Sequence, residues 1–239
     1  MELYNEDCIN KMKDLSNNSI DLLFCDLPYG QTSCKWDCLI DLDLFWKEIN
    51  RICKDECAMF FTCSTKFGVS LINSNPKNFR YDLVWIKSNP CGFLNSKKMP
   101  IKKHEMVYVF YKKVPKVYTD NISEHHSHKF LNSKNGMKAK KELVYNVSYQ
   151  VQNKKYEPPL PNSILEIASQ KGNHATQKPV DLIKWCLKYY SNEGDTILDP
   201  TMGSGSTGVA CKEMNRNFIG IEMDKEIYDV ACKRLEYRD

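Results

Sequence analysis

Thr196-Ile197-Leu198-Asp199-Pro200-Thr201-Met202-Gly203-Ser204-Gly205-Ser206-Thr207-Gly208 is the stretch that decides the fold. A short apolar strand runs into a glycine-rich turn, and a helix follows through Met214. A strand that turns this sharply into a helix brings its backbone close to a ligand, and small residues permit that approach. The next strand, Phe218-Ile219-Gly220-Ile221, ends at Glu222, where an acid reaches a ribose hydroxyl. Asp199 to Gly205 with Glu222 therefore reads as a nucleoside-cofactor site. The Gly-x-Gly-x-x-Gly spacing alone fits NAD equally well. Two features disfavour NAD. No later strands follow to build a second nucleotide half. Asp199 at the strand end would also repel a pyrophosphate, whereas it suits a cationic methionine amino group.

Outward from this unit, strand-like and helix-like runs alternate. Pro179 suits the first turn of a helix reaching about Ser191, and the last helix spans about Asp224 to Leu235. Upstream, Ile20–Cys25, Ala58–Thr62, Tyr81–Ile86 and Met106–Tyr111 read as strands. Leu44, Phe45, Ile49 and Ile52 give Leu42 to Cys53 helical spacing. The alternation predicts an α/β fold with a mostly parallel sheet. It breaks from Lys112 to Gly172, a polar stretch with prolines at 158, 159 and 161. This stretch is too long for an ordinary loop and reads as an insertion or small subdomain. It holds 11 Lys and 5 acids, against 23 basic and 25 acidic residues elsewhere in the chain. A basic segment on a near-neutral body suggests contact with a polyanion, and a lysine-rich solvated loop is the alternative.

The 239 residues, 42% hydrophobic and 27% charged, suit one soluble domain with an insertion. No apolar run approaches a bilayer span, and the acidic start Met1 to Asp7 does not resemble a signal peptide. The expectation is a cytoplasmic protein without a membrane contact. In that compartment the eleven cysteines are expected as free thiols, most of them, such as Cys25, Cys63 and Cys211, acting as small core residues. No pair of cysteine pairs has the spacing of a structural zinc site, and no metal is expected.

Asp26-Leu27-Pro28-Tyr29 follows the first strong strand, at the strand end where open α/β sheets place ligands. Taken alone it is a β-turn with an Asp cap. Its residue types also fit a definite chemistry. The amino group of a base is a poor nucleophile, because its lone pair is delocalised into the ring. A carboxylate from Asp26 and a carbonyl from Leu27, accepting its two N–H bonds, favour a directed lone pair. Pro28 fixes the turn, and Tyr29 offers a ring face to a base flipped from a duplex.

These segments resemble the β group of DNA amino-methyltransferases, the adenine-N6 and cytosine-N4 enzymes. The resemblance rests on Asp26-Leu27-Pro28-Tyr29, on Asp199 to Thr207 and on His174-Ala175-Thr176-Gln177-Lys178-Pro179. Asn5-Glu6-Asp7-Cys8 and His104-Glu105-Met106-Val107 are further, shorter matches. It covers most of the chain except about Lys112 to Lys171. The resemblance implies a Rossmann-like S-adenosylmethionine-dependent fold in circularly permuted motif order, with residues 1–111 and 173–239 catalytic and 112–172 a target-recognition insertion. S-adenosylmethionine would be the cofactor. Asp199, Gly203 and Gly205 would hold its methionine part, Glu222 its ribose and Asp7 its adenine, and Thr201, Ser204, Ser206 and Thr207 would also bind the cofactor. Thr176, Gln177 and Lys178 would close over the methionine end. Tyr29 and His104 would lie near the everted base. Lys112, Lys113, Lys116, Lys138, Lys140 and Lys141 are candidates for phosphate contacts with double-stranded DNA. Asp rather than Ser at position 26 resembles the adenine enzymes, and Leu27 departs from the usual Pro. A cognate restriction endonuclease and a homodimer are the other partners that come into view.

Some of the residues admit other readings. Cys91 after Pro90 could suggest cysteine-dependent cytosine-C5 methylation, but no base neighbours it in sequence and the tetrad would be unexplained. His125, His126 and His128 with Glu124 could bind a metal, although short polar histidine clusters are commonly solvated. Trp46, Trp85 and Trp185 read as core, and Trp36 is open. A nicotinamide oxidoreductase and an inactive DNA-binding module are the remaining classes.

Overall fold

The computed structural model describes residues 1–28, 39–118, 161–170 and 177–237. Among these, the elements in chain order are β1 (Glu2–Tyr4), α1 (Cys8–Asp14), β2 (Ile20–Cys25), α2 (Leu42–Ile52), β3 (Cys53–Cys63), α3 (Thr65–Ser74), β4 (Phe79–Cys91), β5 (Lys102–Phe110), β6 (Ile164–Glu166), α4 (Val180–Tyr190), β7 (Thr196–Asp199), α5 (Ser206–Glu213), β8 (Asn217–Ile221) and α6 (Lys225–Leu235). The eight strands form one sheet in the order β1-β8-β7-β2-β3-β5-β4-β6. Only β5 runs against its neighbours, pairing antiparallel with β3 and β4. The expected mostly parallel α/β sheet is therefore present.

The sheet is central because its inner strands are apolar on both faces, the signature of a strand covered by helices on each side. Leu22, Leu23, Phe24 and Cys25 of β2 and Met59, Phe60 and Phe61 of β3 are all buried. The α2 helix starts at Asp41, whose carboxylate accepts the backbone N–H of Asp43 and Leu44. It lays Phe45, Trp46, Ile49 and Ile52 on the sheet. Trp46 meets Phe61 edge-on at 5.4 Å between ring centroids, and Phe61 meets Phe110 at 5.4 Å. Such pairs add about 0.5–1.5 kcal/mol beyond the area they bury. Trp46, Trp85 and Trp185 are buried, as expected, whereas Trp36 lies outside the described residues. The described cysteines are free thiols, and Cys25, Cys63 and Cys211 are core residues.

Two consequences position a site. Crossovers leave β2 toward β3 on one side, while β7 leads to β8 on the other, so the chain direction switches between β7 and β2. Ligands bind at such switch points, outside the carboxyl ends of the strands. Because β5 is reversed, its first residues reach the same sheet edge as the ends of β2, β3, β4, β6 and β7. The stretch 112–172, expected as an insertion throughout, contributes β6 to this sheet. Val84, Trp85 and Ile86 of β4 pair with Ile164, Leu165 and Glu166. Three residues are too few for a periodic signal, which hid the strand. Residues 119–160 lie outside the described residues, together with Lys138, Lys140, Lys141 and the Glu124–His128 cluster.

Candidate active site

Asp199 closes β7 and is buried. Its carboxylate accepts the Thr207 hydroxyl at 2.5 Å and the Thr201 backbone N–H at 3.2 Å. Burial pushes its pKa up to about 7; the Thr207 and Thr201 hydrogen bonds pull down, and the Asp26 and Glu222 charges push up. A buried carboxylate with no cation among its contacts to the described residues is poised for a positively charged ligand group. The turn beyond it depends on glycine. Gly203 and Gly205 have φ of +52° and +78°, a left-handed backbone that other residues adopt only with strain. Gly205 begins α5 in this conformation, and Arg234 of α6 holds the turn by donating to the Ser204 carbonyl and the Ser206 hydroxyl, both at 3.1 Å.

Glu222 follows β8. Its two carboxylate oxygens accept the backbone N–H of Gly203 at 3.0 Å and of Asp224 at 2.9 Å. These bonds orient it and leave each oxygen a lone pair for a hydroxyl. Burial raises its pKa, partly offset by those two bonds. Asn5 pins the same corner by donating to the Glu222 and Met223 carbonyls at 2.9 and 3.0 Å. Asp7 is the N-cap of α1, accepting from the Asn10 N–H at 3.0 Å.

Asp26 follows β2 directly. One carboxylate oxygen accepts the Thr62 hydroxyl at 2.8 Å, and the other pairs with the Lys178 ammonium. Lys178 also lies 3.4 Å from Glu105, and Glu105 pairs with Lys87 at 2.5 Å. The four side chains form an alternating row of charge along the sheet edge. Burial works against the Lys178 charge, but the Asp26 and Glu105 carboxylates outweigh it and raise its pKa. Burial would likewise raise the Glu105 pKa, yet Lys178 and Lys87 hold it below the usual carboxylate range. Thr201 joins the two halves of the site. Its backbone N–H donates to Asp199, and its hydroxyl donates to the Asp26 carbonyl at 3.1 Å.

All of this opens on one cavity of about 1030 Å3, lined among others by Asp7, Asp26, Lys178, Asp199, Gly203 and Glu222. Leu27, Pro28, Gln177, Thr201, Ser204, Ser206 and Thr207 line it too. Gly205 is not in its wall but shapes the turn behind it. The cavity thus gathers most of the residues that the sequence singled out. Lys178, expected against the methionine end of a cofactor, reaches the cavity with its charge engaged by Asp26 and Glu105. His104 is exposed and outside the cavity wall; strand alternation turns its neighbour Glu105 inward instead. Lys112 and Lys113 pair with Asp55 at the start of β3, and Lys116 sits over Tyr118 beside the end of α4. These three lie at the opposite sheet edge from Asp26. Tyr29 and Thr176 lie outside the described residues. Nothing in the sequence marks Thr62, while Glu105 stands out only as part of the His104–Val107 match and Lys87 only as the end of a strand beside the site. Thr62 sits inside an unbroken apolar run and looks like filler there.

A family model described as a DNA methylase matches residues 20–233. The chain is 29% identical over 258 residues to the type II methyltransferase M.HinfI of Haemophilus influenzae, covering 96% of this chain and 66% of that protein. It is 29% identical over 245 residues to M.HpaI of Haemophilus parainfluenzae, covering 95% and 72%. Among solved structures, the M1.HpyAVI complex with SAM superposes at a TM-score of 0.64 with 27% identity, over 98% of this chain and 99% of that one. The cytosine-N4-specific PvuII DNA methyltransferase superposes at 0.69 with 17% identity, over 99% and 86%, a likeness of fold.

Proposed function

The chain belongs to the N6/N4 DNA methylase family, and on that footing we propose that it is a site-specific DNA methyltransferase that uses S-adenosylmethionine and methylates adenine N6. The carrying observation is that Asp26 and Asp199 face one cavity at the sheet's switch point, with Thr201 bonded to both. The described residues fit the cofactor. The buried Asp199 carboxylate suits its ammonium, the free lone pairs of Glu222 suit its ribose hydroxyls, and the glycine turn leaves room for close approach. Bound there, the cofactor supplies a methyl group already activated on a sulfonium.

The chain's own residues then have to position and polarise the acceptor. Asp26 accepts one N–H of the target amino group and the Leu27 carbonyl accepts the other, which directs the nitrogen lone pair toward the donor. Asp26 also stabilises the positive charge that grows on that nitrogen. Thr62 and Thr201 hold the Asp26 carboxylate and carbonyl in place, so the geometry is set before the base arrives. Lys178 must yield part of the Asp26 carboxylate to the incoming amino group, and Glu105 gives it somewhere to stay. Direct transfer needs neither a cysteine nucleophile nor a metal in this scheme. Asp26, rather than Ser, at the head of the tetrad supports adenine as acceptor, and the type II relatives make a restriction–modification role part of the same proposal.

Incubation with S-adenosylmethionine and unmethylated genomic duplex DNA, followed by digestion and nucleoside chromatography, tests this. N6-methyladenine is expected, and Asp26→Ala should reduce it about 10²–10³-fold. N4-methylcytosine would assign the other acceptor. Absence of any methylated nucleoside would overturn the reading.

A further inference from the structure

Between β4 and β5 the chain carries an apolar crown set in lysines. From Gly92 to His104 there are four lysines, Lys97, Lys98, Lys102 and Lys103, and no acid. Within it, Phe93 and Met99 are 66% and 59% exposed, and Leu94 is fully exposed. Phe93–Asn95 form a single 3-10 turn, entered through Gly92 at φ +90°, a left-handed conformation that glycine adopts without strain. The segment rises from the rim of the active-site cavity. Cys91 at its base and Lys102 at its return both line that cavity, together with Asp26.

Large apolar side chains grouped in the open usually mark a surface that another molecule covers. The lysines decide which molecule. A cationic collar without a single acid opposes a second copy of the same segment and suits a polyanion. An apolar tip amid phosphate-binding cations is the composition with which proteins wedge between base steps. Its position at the mouth of a cavity that must receive one base adds a reason for the wedge.

We propose that residues 92–103 engage duplex DNA: Phe93 and Leu94 enter the base stack and fill the space vacated by the everted target, while Lys97, Lys98 and Lys103 hold flanking phosphates. This rests on the proposed DNA methyltransferase activity. It assigns the catalytic edge's positive charge to the β4–β5 connection, not to Lys112, Lys113 and Lys116 at the far edge. A wedge lowers the cost of opening a paired base, so its loss should matter most where pairing is intact.

The test uses the full chain. Single-molecule sequencing of the methylated genomic DNA first gives the modified site, and two oligonucleotide duplexes are made with the target base paired or mispaired. Phe93→Ser combined with Leu94→Ser should lower kcat about tenfold or more on the paired duplex and regain most of it on the mispaired one. Lys97→Ala with Lys98→Ala should raise KM for DNA, reduce the salt slope of binding by about two and leave kcat near wild type. Binding of S-adenosylmethionine by calorimetry should be unchanged in both, which shows that they fold. Wild-type rates on the paired duplex, or equal losses on paired and mispaired duplexes, would overturn the wedge. So would a wild-type dimer that Phe93→Ser with Leu94→Ser dissociates while methylation stays intact. In each of these cases wild-type methylation still stands, so the wedge fails alone. A wild-type protein that methylates no DNA removes both proposals together.

Discussion

Lys178 shows how a single side chain sets the state of the site. It lies between the Asp26 and Glu105 carboxylates and neutralises both. Removing a cation beside a carboxylate favours the protonated acid. Lys178 is one of the two cations that hold the Glu105 carboxyl below the usual range, so Lys178→Ala should raise the Glu105 pKa, read by NMR titration of its side chain. An unshifted Glu105 titration would show that Lys178 does not govern its ionisation. Asp199 carries a second pH signature. Its pKa stands at about 7 against an ordinary 3.8, so between those values the native state binds more protons than the unfolded chain. Stability from this residue is then lost as pH rises through that window. Binding a cationic amino group has the opposite preference, because it needs the ionised form. Calorimetry between pH 6 and 7.5 should show S-adenosylmethionine binding with proton release and affinity rising with pH, by up to about tenfold per unit below pH 7. Asp199→Asn should abolish that dependence and most of the binding, while flattening the fall in melting temperature between pH 3.8 and about 7.

At the scale of the element, α5 leaves little room for a side chain at Gly208. A Cβ on Gly208 would lie 2.7 Å from Leu235 Cδ1 and 2.9 Å from the Phe218 ring. Alanine is the better helix former by about 1 kcal/mol, but forcing a methyl into a filled space costs about 1–3 kcal/mol. Gly208→Ala should therefore be neutral to destabilising by about 2 kcal/mol in urea unfolding, and a gain in stability would show that α5 and α6 pack more loosely than described. Elements with long apolar runs were legible in the sequence. β2, β3, β7, β8, α2, α4 and α6 all lie where composition and periodicity place them. β1 and β6 were not, because three residues carry no period. α3 was hidden by Gly68 in its middle, which makes space for Tyr108, whose ring a Cβ would meet at 2.2 Å. Of the site, the carboxylates were legible because their positions at strand ends have a chemical meaning. Thr62 and Glu105 were not, since their roles come from the pairing of β3 with a reversed β5, and sequence spacing does not reveal strand direction.

Across the whole molecule, one sheet edge gathers the chemistry. Asp26, Lys87, Glu105, Lys178, Asp199 and Glu222 come from six separate parts of the chain and line a single cavity. Loops and strand ends hold these groups, while the buried sheet beneath them fixes their spacing, an arrangement that places reactive groups without exposing the core. The lysines of the β4–β5 connection extend the same edge outward, whereas Lys112, Lys113 and Lys116 face the other way. Charge-reversing Lys113 should accordingly change DNA affinity far less than charge-reversing Lys98, measured by salt-dependent binding to the same duplex. The most direct measurement of the central claim is a crystal structure with S-adenosylmethionine bound. The expected result has its ammonium against Asp199, its ribose hydroxyls against Glu222 and its methyl group directed at the space beside the Asp26 carboxylate. A donor whose methyl faces away from Asp26, or one seated outside this cavity, would contradict it.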